Sequence, residues 1–357
     1  MKKVISVSEV KRCVEEKGLF CWGCGQAFQW LLQCLQETHH EWLKNIHFIV
    51  DTNRAKQGTF LHIDGISISI ISPEELRVRY TGEMPVVTVG RKYRGEVIEF
   101  LTAEAEYIPY TPWSYEKMLA MCLENEAFSD SIAAHFRQYE KPVIPKIIHY
   151  FWVGGAPIPQ EFQNYIETWK KYCPDYEIVR WDESNYDFSK NRYMMQAYKA
   201  KKWGFVPDYA RLDVIYQYGG IYLDTDVELI RPLDPLLYQD GFAGFSPDGR
   251  VSLGLGFGGR KGLSILKEMC DEYDDMEFID FTTKAERCEK NIQASPEIQM
   301  KTLGRHGVMK NGFHLQKIEN LTLYPVPVLH GMVNEVPIRS DIAFAIHHYA
   351  GTWVPKM

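Results

Sequence analysis

The pattern of apolar and polar positions in the first third of the chain predicts strands that alternate with helices. Short, nearly continuous apolar runs mark the strands, and apolar residues spaced three or four apart mark a helix. The predicted strands cover residues 19–22, 46–50, 66–71 and 85–89, and the helix runs from residue 26 to about 37. Alternating strands and helices imply a parallel sheet, so residues 1–125 are predicted to form a small Rossmann-like domain.

The apolar pattern from residue 144 onward predicts a second α/β domain. Residues 126–143 are predicted to form a connecting helix and a linker, and a buried strand then opens the domain 144–357. Segment 205–218 has one apolar helical side, formed by residues such as Leu212 and Tyr218. Gly219-Gly220 is predicted to end this helix and to begin a short strand.

Two carboxylates follow that short strand with one residue between them. Because side chains alternate along an extended backbone, Asp224 and Asp226 are expected to point in the same direction. Two hard oxygen ligands on one face suit Mg²⁺ or Mn²⁺, which fill their other positions with phosphate oxygens and water. The pair therefore predicts a metal-assisted site for a phosphorylated substrate. The alternative is a solvated pair that caps a strand.

Composition and charge exclude one class of partner. The chain has 357 residues, of which 45% are hydrophobic and 24% charged, and its formal net charge is -7. An acidic chain of this kind is a poor ligand for nucleic acid, so no nucleic-acid partner is predicted. No apolar run approaches the roughly 20 residues that span a bilayer, and the start of the sequence shows no secretory leader. With cysteines scattered in apolar surroundings, these features predict a cytoplasmic protein.

The turn after the first predicted strand offers a second candidate site. Gly23-x-Gly25 occupies this turn, and Asp51 closes the next strand, as in a dinucleotide-binding fingerprint. Phe28 stands where a third glycine would allow close packing of helix and strand. A tight turn without a ligand is therefore the alternative interpretation. Cys21 and Cys24 also have the spacing of a redox pair or half a zinc site, but nothing nearby completes one.

Asp208 and Arg211 form a candidate pair near the start of the predicted helix 205–218. They lie three residues apart and are therefore neighbours on the helix surface. A surface salt bridge between them would contribute little to stability. Beside a diphosphate, Arg211 would instead offer a bidentate contact, and Asp208 would bind sugar hydroxyls.

Three blocks of sequence carry a family resemblance. They are Pro145-Lys146-Ile147-Ile148-His149-Tyr150-Phe151-Trp152, Pro207-Asp208-Tyr209-Ala210-Arg211 and Gly219-Gly220-Ile221-Tyr222-Leu223-Asp224-Thr225-Asp226. In this order they strongly resemble the DXD-containing sugar transferases of glycosyltransferase family 32, which holds bacterial capsule and lipopolysaccharide transferases and fungal Golgi mannosyltransferases. They also look like the core of the glucosylating bacterial toxins. The resemblance covers about residues 144–353 and implies a GT-A nucleotide-diphospho-sugar transferase fold behind the small Rossmann-like domain.

The resemblance implies where the nucleotide of a sugar donor would bind. Phe151, Trp152 and Val153 would hold the base through stacking and backbone hydrogen bonds. Tyr222 would pack on the nucleoside, and Thr225 would belong to the same nucleotide-sugar site. Residues 48–76 of the first domain, with Val50-Asp51, Gly58, Gly65 and Ser72-Pro73-Glu74-Glu75-Leu76, also resemble nucleotide-sugar-binding N-terminal domains of bacterial sugar-modifying enzymes.

The same resemblance implies catalytic and metal-binding residues. Asp208 and Arg211 would grip the donor sugar, Asp224 would contact ribose and metal, and Asp226 would bind the metal directly. The block Ala345-Ile346-His347-His348-Tyr349-Ala350-Gly351-Thr352-Trp353 resembles the family's closing His…Ser-Trp block. There His347 would complete the metal or phosphate shell, with His348 facing the other way in a strand. Trp353 would lie beside the leaving diphosphate, and Thr352 keeps the hydroxyl of the usual Ser.

These roles together describe a metal-dependent, retaining glycosyltransferase, a hexosyltransferase that uses Mn²⁺ or Mg²⁺. The expected donor is a nucleotide sugar with UDP as its carrier. The expected acceptor is a hydroxyl of a surface polysaccharide or lipid-linked glycan, as in capsular polysaccharide biosynthesis. Because no nucleophile is evident on the opposite face of the sugar, front-side attack by an oriented acceptor is the expected mechanism. The basic segment 190–202 is either a solvated face or a peripheral contact with the inner face of the cell membrane.

Two other functions remain open at this point. Asp224-Thr225-Asp226 also resembles the paired aspartates of haloacid-dehalogenase-like phosphatases, which would make the chain a phosphohydrolase. In those enzymes the pair follows the first strand of a domain, whereas here it lies deep in the domain and is followed by Val227-Glu228. The third possibility is a non-catalytic nucleotide-sugar-binding protein built around the first domain.

Overall fold

The structure is a computed structural model that describes residues 6–104, 106–278 and 295–350. The chain divides into two compact units. The first comprises the residues up to Ser129 together with Val333–Ser340, and the second comprises Asp130–Met332 and the residues from Asp341 onward. The division after Ser129 falls inside the predicted connecting segment. Segment 333–340, which the sequence analysis assigned to the second domain, is part of the first unit.

The first unit is an α/β fold built on a parallel sheet. Its strands are β1 (Leu19–Trp22), β2 (Ile46–Val50), β3 (Phe60–Ile63), β4 (Ile66–Ile71), β5 (Met84–Val87) and β6 (Trp113–Ser114). Its helices are α1 (Val7–Lys17), α2 (Gln26–Thr38), α3 (Leu76–Arg79), α4 (Arg91–Ala103), α5 (Tyr115–Leu123) and α6 (Glu126–Ala133), which crosses the division between the units, and a 3₁₀ helix covers His40–Asn45. Among the described residues the sheet order is β3-β4-β2-β1-β5-β6, and every pair is parallel except β3 with β4.

The sequence pattern predicted four of the six described strands of this sheet and missed β3 and the two-residue β6. The predicted strands 19–22, 46–50 and 66–71 have the observed bounds, and the predicted strand 85–89 is shifted to Met84–Val87. Strand β3 escaped prediction because its side chains are not buried, Phe60 and His62 being exposed. The turn residues Asp64 and Gly65 have φ values of 48° and 78°, as a two-residue hairpin turn requires.

The second unit is a mixed α/β fold. Its strands are β7 (Ile147–Phe151), β8 (Glu177–Trp181), β9 (Gly220–Tyr222), β10 (Val227–Leu229), β11 (Gly241–Gly244), β12 (Phe257–Gly259), β13 (Gln316–Ile318), β14 (Leu321–Tyr324) and β17 (Ala345–His347). Its helices are α7 (Gln160–Tyr172), α8 (Arg192–Lys199), α9 (Pro207–Tyr218), α10 (Ser264–Asp271), α11 (Ser295–Arg305) and α12 (Val326–Leu329), with 3₁₀ helices at Phe188–Lys190, Asp234–Leu237 and Leu253–Leu255. A separate two-stranded sheet pairs β15 (Met332–Val333) with β16 (Val336–Pro337), and β16 belongs to segment 333–340 of the first unit.

Two sheets of the second unit bring its candidate site residues together. The larger has the order β13-β14-β11-β12-β9-β7-β8 in the described part of the chain, with β9 parallel to β7 and antiparallel to β12. The smaller pairs β10 with β17 in antiparallel register, so that Val227 lies opposite His347. Strand β9 therefore leads into Asp224 and Asp226, and β17 brings a distant histidine to the same place.

Helix α9 is buried around most of its circumference, which the sequence analysis did not foresee. It predicted one apolar side that included Tyr218, but Tyr218 is 48% exposed. Leu212 and Ile215 are buried, and so are Asp208 and Arg211, each at 5% exposure. A helix with buried charges on its inner side cannot be recognised from apolar periodicity alone, because the charged positions interrupt the pattern.

The turn from α9 into β9 is fixed by two glycines and a buried histidine. Gly219 and Gly220 have φ values of 71° and 106°, and a β-carbon at Gly220 would lie 2.7 Å from the carbonyl oxygen of Ile147. His149 Nε2 donates to the carbonyl oxygen of Gly219 at 2.9 Å, and its Nδ1 accepts from Trp181 Nε1 at 3.0 Å. Burial lowers the pKa of His149 to about 4, so the ring is neutral at pH 7. These contacts fix the direction of β9, which leads into Asp224.

No helix in the described segments is long and apolar enough to cross a membrane.

Candidate metal and donor site

Asp224, Asp226 and His347 converge at the end of β9. One potential ligand atom from each of them lies within 4.8 Å of the others. His347 Nε2 lies 3.3 Å from Asp226 Oδ1, and His347 Nδ1 is buried with no hydrogen-bond partner among the described residues. The pairing of β10 with β17 explains this meeting of residues more than 120 positions apart. The predicted choice of His347 over His348 thus agrees with the geometry of the strand.

The donor set fits a divalent cation. Two carboxylates and one imidazole offer oxygen and nitrogen ligands of the kinds that Mn²⁺ and Mg²⁺ accept, and Mn²⁺ tolerates the nitrogen better. The orphaned Nδ1 of His347 is a buried polar atom that a ligand or water would satisfy. Asp224, Asp226 and His347 would hold such an ion.

A buried ion cluster adjoins the metal-ligand candidates. Arg211 Nη2 donates to Asp208 Oδ1 at 2.8 Å, and Arg211 Nη1 contacts Asp224 Oδ2 at 3.4 Å. Tyr193 donates its hydroxyl hydrogen to Asp208 Oδ2 at 3.2 Å, and Arg211 Nε donates to the carbonyl oxygen of Pro207 at 3.0 Å. The surface salt bridge weighed for Asp208 and Arg211 is therefore wrong, because both side chains are buried. A buried pair of this kind is costly to desolvate and signals a specific role.

The acids of this cluster have perturbed pKa values. Burial raises the pKa of Asp208 to about 6, although the Arg211 charge partly offsets this effect. Burial also raises the pKa of Asp224, again against the opposing attraction of Arg211. Asp226 is different: burial acts to raise its pKa, but hydrogen bonding to His347 and the backbone N–H of Ala350 lowers it overall. Negative charge is thus under-compensated at Asp208 and Asp224.

Tyr222 is a residue of β9 that also contacts Asp224 and Arg211 of the ion cluster. Its hydroxyl donates to Asp224 Oδ1 at 2.8 Å, and the guanidinium carbon of Arg211 lies 5.2 Å from its ring centre. The side chain is 1% exposed and packs between Phe151 and Phe257. The structure therefore shows Tyr222 orienting Asp224, while the predicted contact with a nucleoside stays a prediction.

The residues predicted to hold the base differ in accessibility. Phe151 and Val153 are buried in the core, and the Phe151 ring packs on Tyr186 and Trp181. Trp152 is partly exposed, and its indole N–H donates to the carbonyl oxygen of Ala156 at 2.6 Å. Of the three side chains, Trp152 is thus the one whose ring is open to stacking with a base. Thr225, which lies between the two aspartates, is partly exposed.

Gly254 is a site residue that the sequence analysis missed. A β-carbon at this position would lie 2.5 Å from Asp224 Oδ2 and 3.4 Å from Arg211 Nη1. Leu253–Leu255 forms a 3₁₀ turn with buried leucines, and Phe257–Gly259 is a strand of the larger sheet. A glycine between two buried leucines was the available signal, since close approach of backbone to a site requires one.

The closing block of the sequence lies partly outside the described residues. Trp353 and Thr352 belong to the part that is not described, so their predicted roles stay predictions. Within the described part, His348 faces away from the metal-ligand candidates, bonds Glu228 Oε2 at 2.9 Å and stacks on Tyr165. The backbone N–H groups of His348 and Ala350 donate to Asp226, each at 3.0 Å, and so fix its orientation.

The first unit carries an acid at the same kind of position, but its carboxylate is already satisfied. Asp51 Oδ2 accepts from the backbone N–H of Cys24 at 3.0 Å and from its thiol at 2.9 Å, and Oδ1 accepts from the N–H of Asn53 at 2.8 Å. Gly23 has φ 101°, and a β-carbon there would lie 2.5 Å from Val89 Cγ1. Packing alone therefore accounts for this glycine. The geometry favours the tight turn without a ligand, and Cys21 is fully buried in β1.

Comparisons with known proteins agree with the geometry of the second unit. Residues 159–243 match a family model described as a glycosyltransferase sugar-binding region containing a DXD motif. This segment runs from α7 to β11 and includes Asp208, Arg211, Asp224 and Asp226. The predicted resemblance to DXD-containing sugar transferases is confirmed for this segment, and the description of the matched family agrees with the predicted enzyme class, a glycosyltransferase.

Curated relatives are named for mannosyl transfer. Over 123 residues the chain is 36% identical to inositol phosphoceramide mannosyltransferase 3 of Schizosaccharomyces pombe, which covers 33% of this chain and 34% of that protein. It is 30% identical over 133 residues to mannosyl phosphorylinositol ceramide synthase SUR1 of Saccharomyces cerevisiae, covering 35% and 34%. The chain thus spans about a third of the length of these relatives. A solved structure titled PaToxG Glycosyltransferase matches with 20% identity and a TM-score of 0.37, over 53% of this chain and 78% of that one.

Proposed function

We propose that this chain transfers a hexosyl group from a nucleotide diphosphate sugar to a hydroxyl of a glycan or lipid-linked glycan. The observation that carries the proposal is the convergence of Asp224, Asp226 and His347 beside the buried pair Asp208–Arg211. The names of the relatives add mannose as the first sugar to test. UDP is the carrier expected from the sequence. A surface polysaccharide, as in capsule biosynthesis, remains the proposed acceptor beside a glycolipid.

The charge of the site supports metal dependence. When ionised, Asp208, Asp224 and Asp226 carry three negative charges, and Arg211 supplies one positive charge against them. The excess is concentrated in a buried place, where like charges are poorly screened. A divalent cation would neutralise that excess. The proposed resident ion is Mn²⁺ or Mg²⁺, held by Asp224, Asp226 and His347.

The residues fit the charge changes of sugar transfer. When the bond between the anomeric carbon and the diphosphate breaks, negative charge develops on the departing phosphate oxygen. The bound cation supplies electrostatic stabilisation of that charge. Arg211 Nη1, whose contact with Asp224 is as long as 3.4 Å, is available to a phosphate or sugar oxygen. Asp208 and Tyr193 orient Arg211 and the donor sugar, and orientation of the acceptor hydroxyl then provides much of the rate acceleration.

We propose that the anomeric configuration is retained, with the acceptor hydroxyl attacking from the side that the diphosphate leaves. Asp208, the acid predicted to grip the sugar, is engaged by Arg211 and Tyr193. It is thus held as a binding group, which favours front-side attack over a covalent intermediate. Proton NMR of the first-formed product gives its anomeric configuration, and an inverted product would contradict this mechanism.

We propose that the basic segment around α8 makes a peripheral contact with the inner face of the cell membrane. The protein would then be located in the cytoplasm. Lys190 pairs with Asp213 and Arg192 with Glu277, so these two charges are already compensated. Lys199 and Lys201 are exposed and would provide the contact. Cosedimentation with vesicles rich in anionic lipid should fall in the variant Lys199→Glu/Lys201→Glu. Equal cosedimentation would support the solvated-face alternative.

The proposed activity is tested by incubating the protein and Mn²⁺ with a panel of UDP- and GDP-linked sugars, with and without glycan acceptors. Hydrolysis or transfer of at least one donor is expected, and chelation of the metal should stop it. The variant Asp226→Asn should lose the activity. Asp175→Asn is the matched control, because Asp175 is an exposed acid whose partner is Lys146 at the surface.

The other candidate functions are outcomes of the same assay. Turnover of simple phosphomonoesters in place of nucleotide sugars would show a phosphohydrolase and contradict the proposal. Binding of a nucleotide sugar that raises the melting temperature, without turnover across the acceptor panel, would show a binding protein.

A further inference from the structure

The buried His330 and the half-exposed Tyr349 form an anchor beside the metal-ligand candidate His347. His330 is 1% exposed and follows α12. Its Nε2 shares a short hydrogen bond with the hydroxyl of Tyr349, and its Nδ1 has no partner among the described residues. A buried imidazole with one unsatisfied nitrogen is costly. A hydrophobic residue of similar size would fill the space without that cost, so the hydrogen bond to Tyr349 needs an explanation.

The anchor acts on the segment that holds Asp226. The ring of Tyr349 meets the ring of His347 edge to face, with 4.2 Å between their centres. Tyr349 has φ 49°, a left-handed conformation that a bulky residue seldom adopts. With Tyr349 in this conformation, the N–H groups of His348 and Ala350, on either side of it, both reach Asp226. The N–H of Ala350 donates to the carboxylate of Asp226, and the N–H of His348 donates to its backbone carbonyl oxygen. The hydrogen bond to His330 thus secures a strained residue that positions Asp226 through its carboxylate and its backbone.

The position of His330 itself is fixed by close contact with β17. The N–H of Gly331 donates to the carbonyl oxygen of Ala345 at 2.8 Å, and the N–H of Phe344 donates to that of Val328 at 2.9 Å. A β-carbon at Gly331 would lie 2.8 Å from the same carbonyl oxygen of Ala345. The segment from α12 to Gly331 is therefore held rigidly against the strand that ends at His347.

From these contacts we infer that Tyr349 and His330 are positioning residues for the metal site, which act by holding His347 and the backbone of Ala350 against Asp226. This inference rests on the proposed metal site. Groups that orient metal ligands commonly change metal affinity by about 10–100-fold when they are removed. The anchor therefore determines how tightly the site binds its divalent cation, whereas the same residues make no contact with Asp208 that the structure shows.

The test measures binding of Mn²⁺ without any turnover. Purified full-length protein is titrated with MnCl₂, in the presence and absence of UDP and of GDP, and free Mn²⁺ is followed by electron paramagnetic resonance. In Tyr349→Phe the dissociation constant should rise about 10–100-fold, because the ring stays and only the hydroxyl is lost. An unchanged dissociation constant would overturn the inference.

Tyr324→Phe is the matched control for general loss of stability. Tyr324 lies in the same unit, and its hydroxyl likewise makes a hydrogen bond, donating to the carbonyl oxygen of His135 at 3.1 Å. This variant should unfold more easily but bind Mn²⁺ as the unaltered protein does. Equal weakening of Mn²⁺ binding in Tyr324→Phe and Tyr349→Phe would show an effect of stability alone and would contradict a positioning role.

Two further variants separate the possible failures. His330→Leu/Tyr349→Phe removes both polar partners and should recover stability while Mn²⁺ binding stays weak. Recovery of both together would overturn the positioning role. Asp226→Asn should lose Mn²⁺ binding outright. If Asp226→Asn binds Mn²⁺ normally, the proposed metal site itself fails, whereas a loss in Asp226→Asn without a loss in Tyr349→Phe refutes only the anchor.

Discussion

Both units of this molecule end a buried parallel strand in an aspartate, and the two acids have opposite environments. Asp51, after β2, accepts hydrogen bonds from Cys24 and Asn53. Burial acts to raise its pKa, but these bonds lower it overall. Asp224, after β9, is held by Tyr222 and only loosely by Arg211, and burial raises its pKa.

The difference shows how to distinguish a structural acid from a functional one. A strand-end carboxylate whose lone pairs are satisfied by backbone N–H groups completes a turn and stabilises the fold. A carboxylate that lies buried beside other acids destabilises the unliganded protein, and it persists where a ligand compensates for the cost. On this basis the first unit carries an architectural aspartate, and the second carries a binding site.

The largest expected effect is on turnover. In Asp224→Asn, nucleotide-sugar turnover should fall on the order of a thousandfold, as when a main electrostatic contact of a transition state is lost. In Asp51→Asn, turnover by the folded protein should stay within about twofold, since Asp51 belongs to the other compact unit and its hydrogen bonds stay within that unit. Steady-state rates at saturating Mn²⁺ compare the two. A comparable loss of turnover in Asp51→Asn would contradict the assignment of Asp51 as a structural acid and Asp224 as a functional one.

Acid should affect the two units in different pH ranges. The pKa of His149 is lowered by burial to about 4 from the 6.5 of an exposed histidine, so the unfolded chain binds more protons between these values. Stability contributed by His149 is therefore lost as the pH falls from 6.5 to 4, by about 3 kcal/mol. In the first unit the lowered pKa values of Asp51 and Glu83 preserve stability until the pH falls below their ordinary range near 4.

Hydrogen exchange of backbone amides at pH 7 and pH 5 measures this difference. Amides of β7 in the second unit should lose protection at pH 5, while amides of β1 and β2 in the first unit keep theirs. The variant His149→Gln should lose less protection between these pH values than the unaltered protein does. Equal loss of protection in both units would argue against the assigned role of His149.

The adjacent histidines at the end of β17 allow a similar comparison between a proposed metal ligand and a residue that faces away from the metal site. His347 faces Asp226, whereas His348 faces Glu228 and Tyr165. In His347→Gln the Mn²⁺ concentration for half-maximal activity should rise about 10–100-fold, because a ligand is replaced by a weaker one. In His348→Gln it should change by less than about threefold. A larger rise of this concentration in His348→Gln than in His347→Gln would show that His348, and not His347, binds the metal.

The smallest effect has opposite signs in the two units. Without added metal, Asp224→Asn should raise the free energy of unfolding by about 1 kcal/mol, because an under-compensated, partly buried charge is removed. Asp51→Asn should lower it by about 1–3 kcal/mol, because a satisfied acceptor is lost from a buried turn. Urea unfolding in the presence of chelator measures both values. Destabilisation of similar size in both variants would remove the distinction between the two acids.

The sequence predicted the parts of this molecule that repeat simple patterns. Strands β1, β2 and β4 follow from apolar runs. Asp224 and Asp226 do come together, but through a turn between β9 and β10 rather than through the predicted alternation along a strand. The family resemblance added His347, which no local pattern could have joined to residues so far away in the chain. The residues that surround and orient the site residues were not predictable. Gly254, Tyr193 and His330 make their contacts with segments that are distant in the sequence.

Two misjudged features have the same physical cause. The burial of Asp208 and Arg211 and the packing of segment 333–340 with the first unit depend on tertiary contacts, which override local polarity. A charged residue in a sequence predicts exposure, and only a compensating partner in the fold reverses that expectation.

The most direct test of the account locates the metal. Crystals of the full chain grown with Mn²⁺ and a nucleoside diphosphate should give a strong anomalous difference peak, collected near the manganese absorption edge, between Asp224, Asp226 and His347. The other described group with suitable ligand atoms, Glu268 with His306 and Glu319, is an internal comparison in the same crystal. A peak at the first site, contacting the diphosphate, is the predicted result. An empty first site, or manganese only at Glu268, His306 and Glu319, would contradict the proposed function.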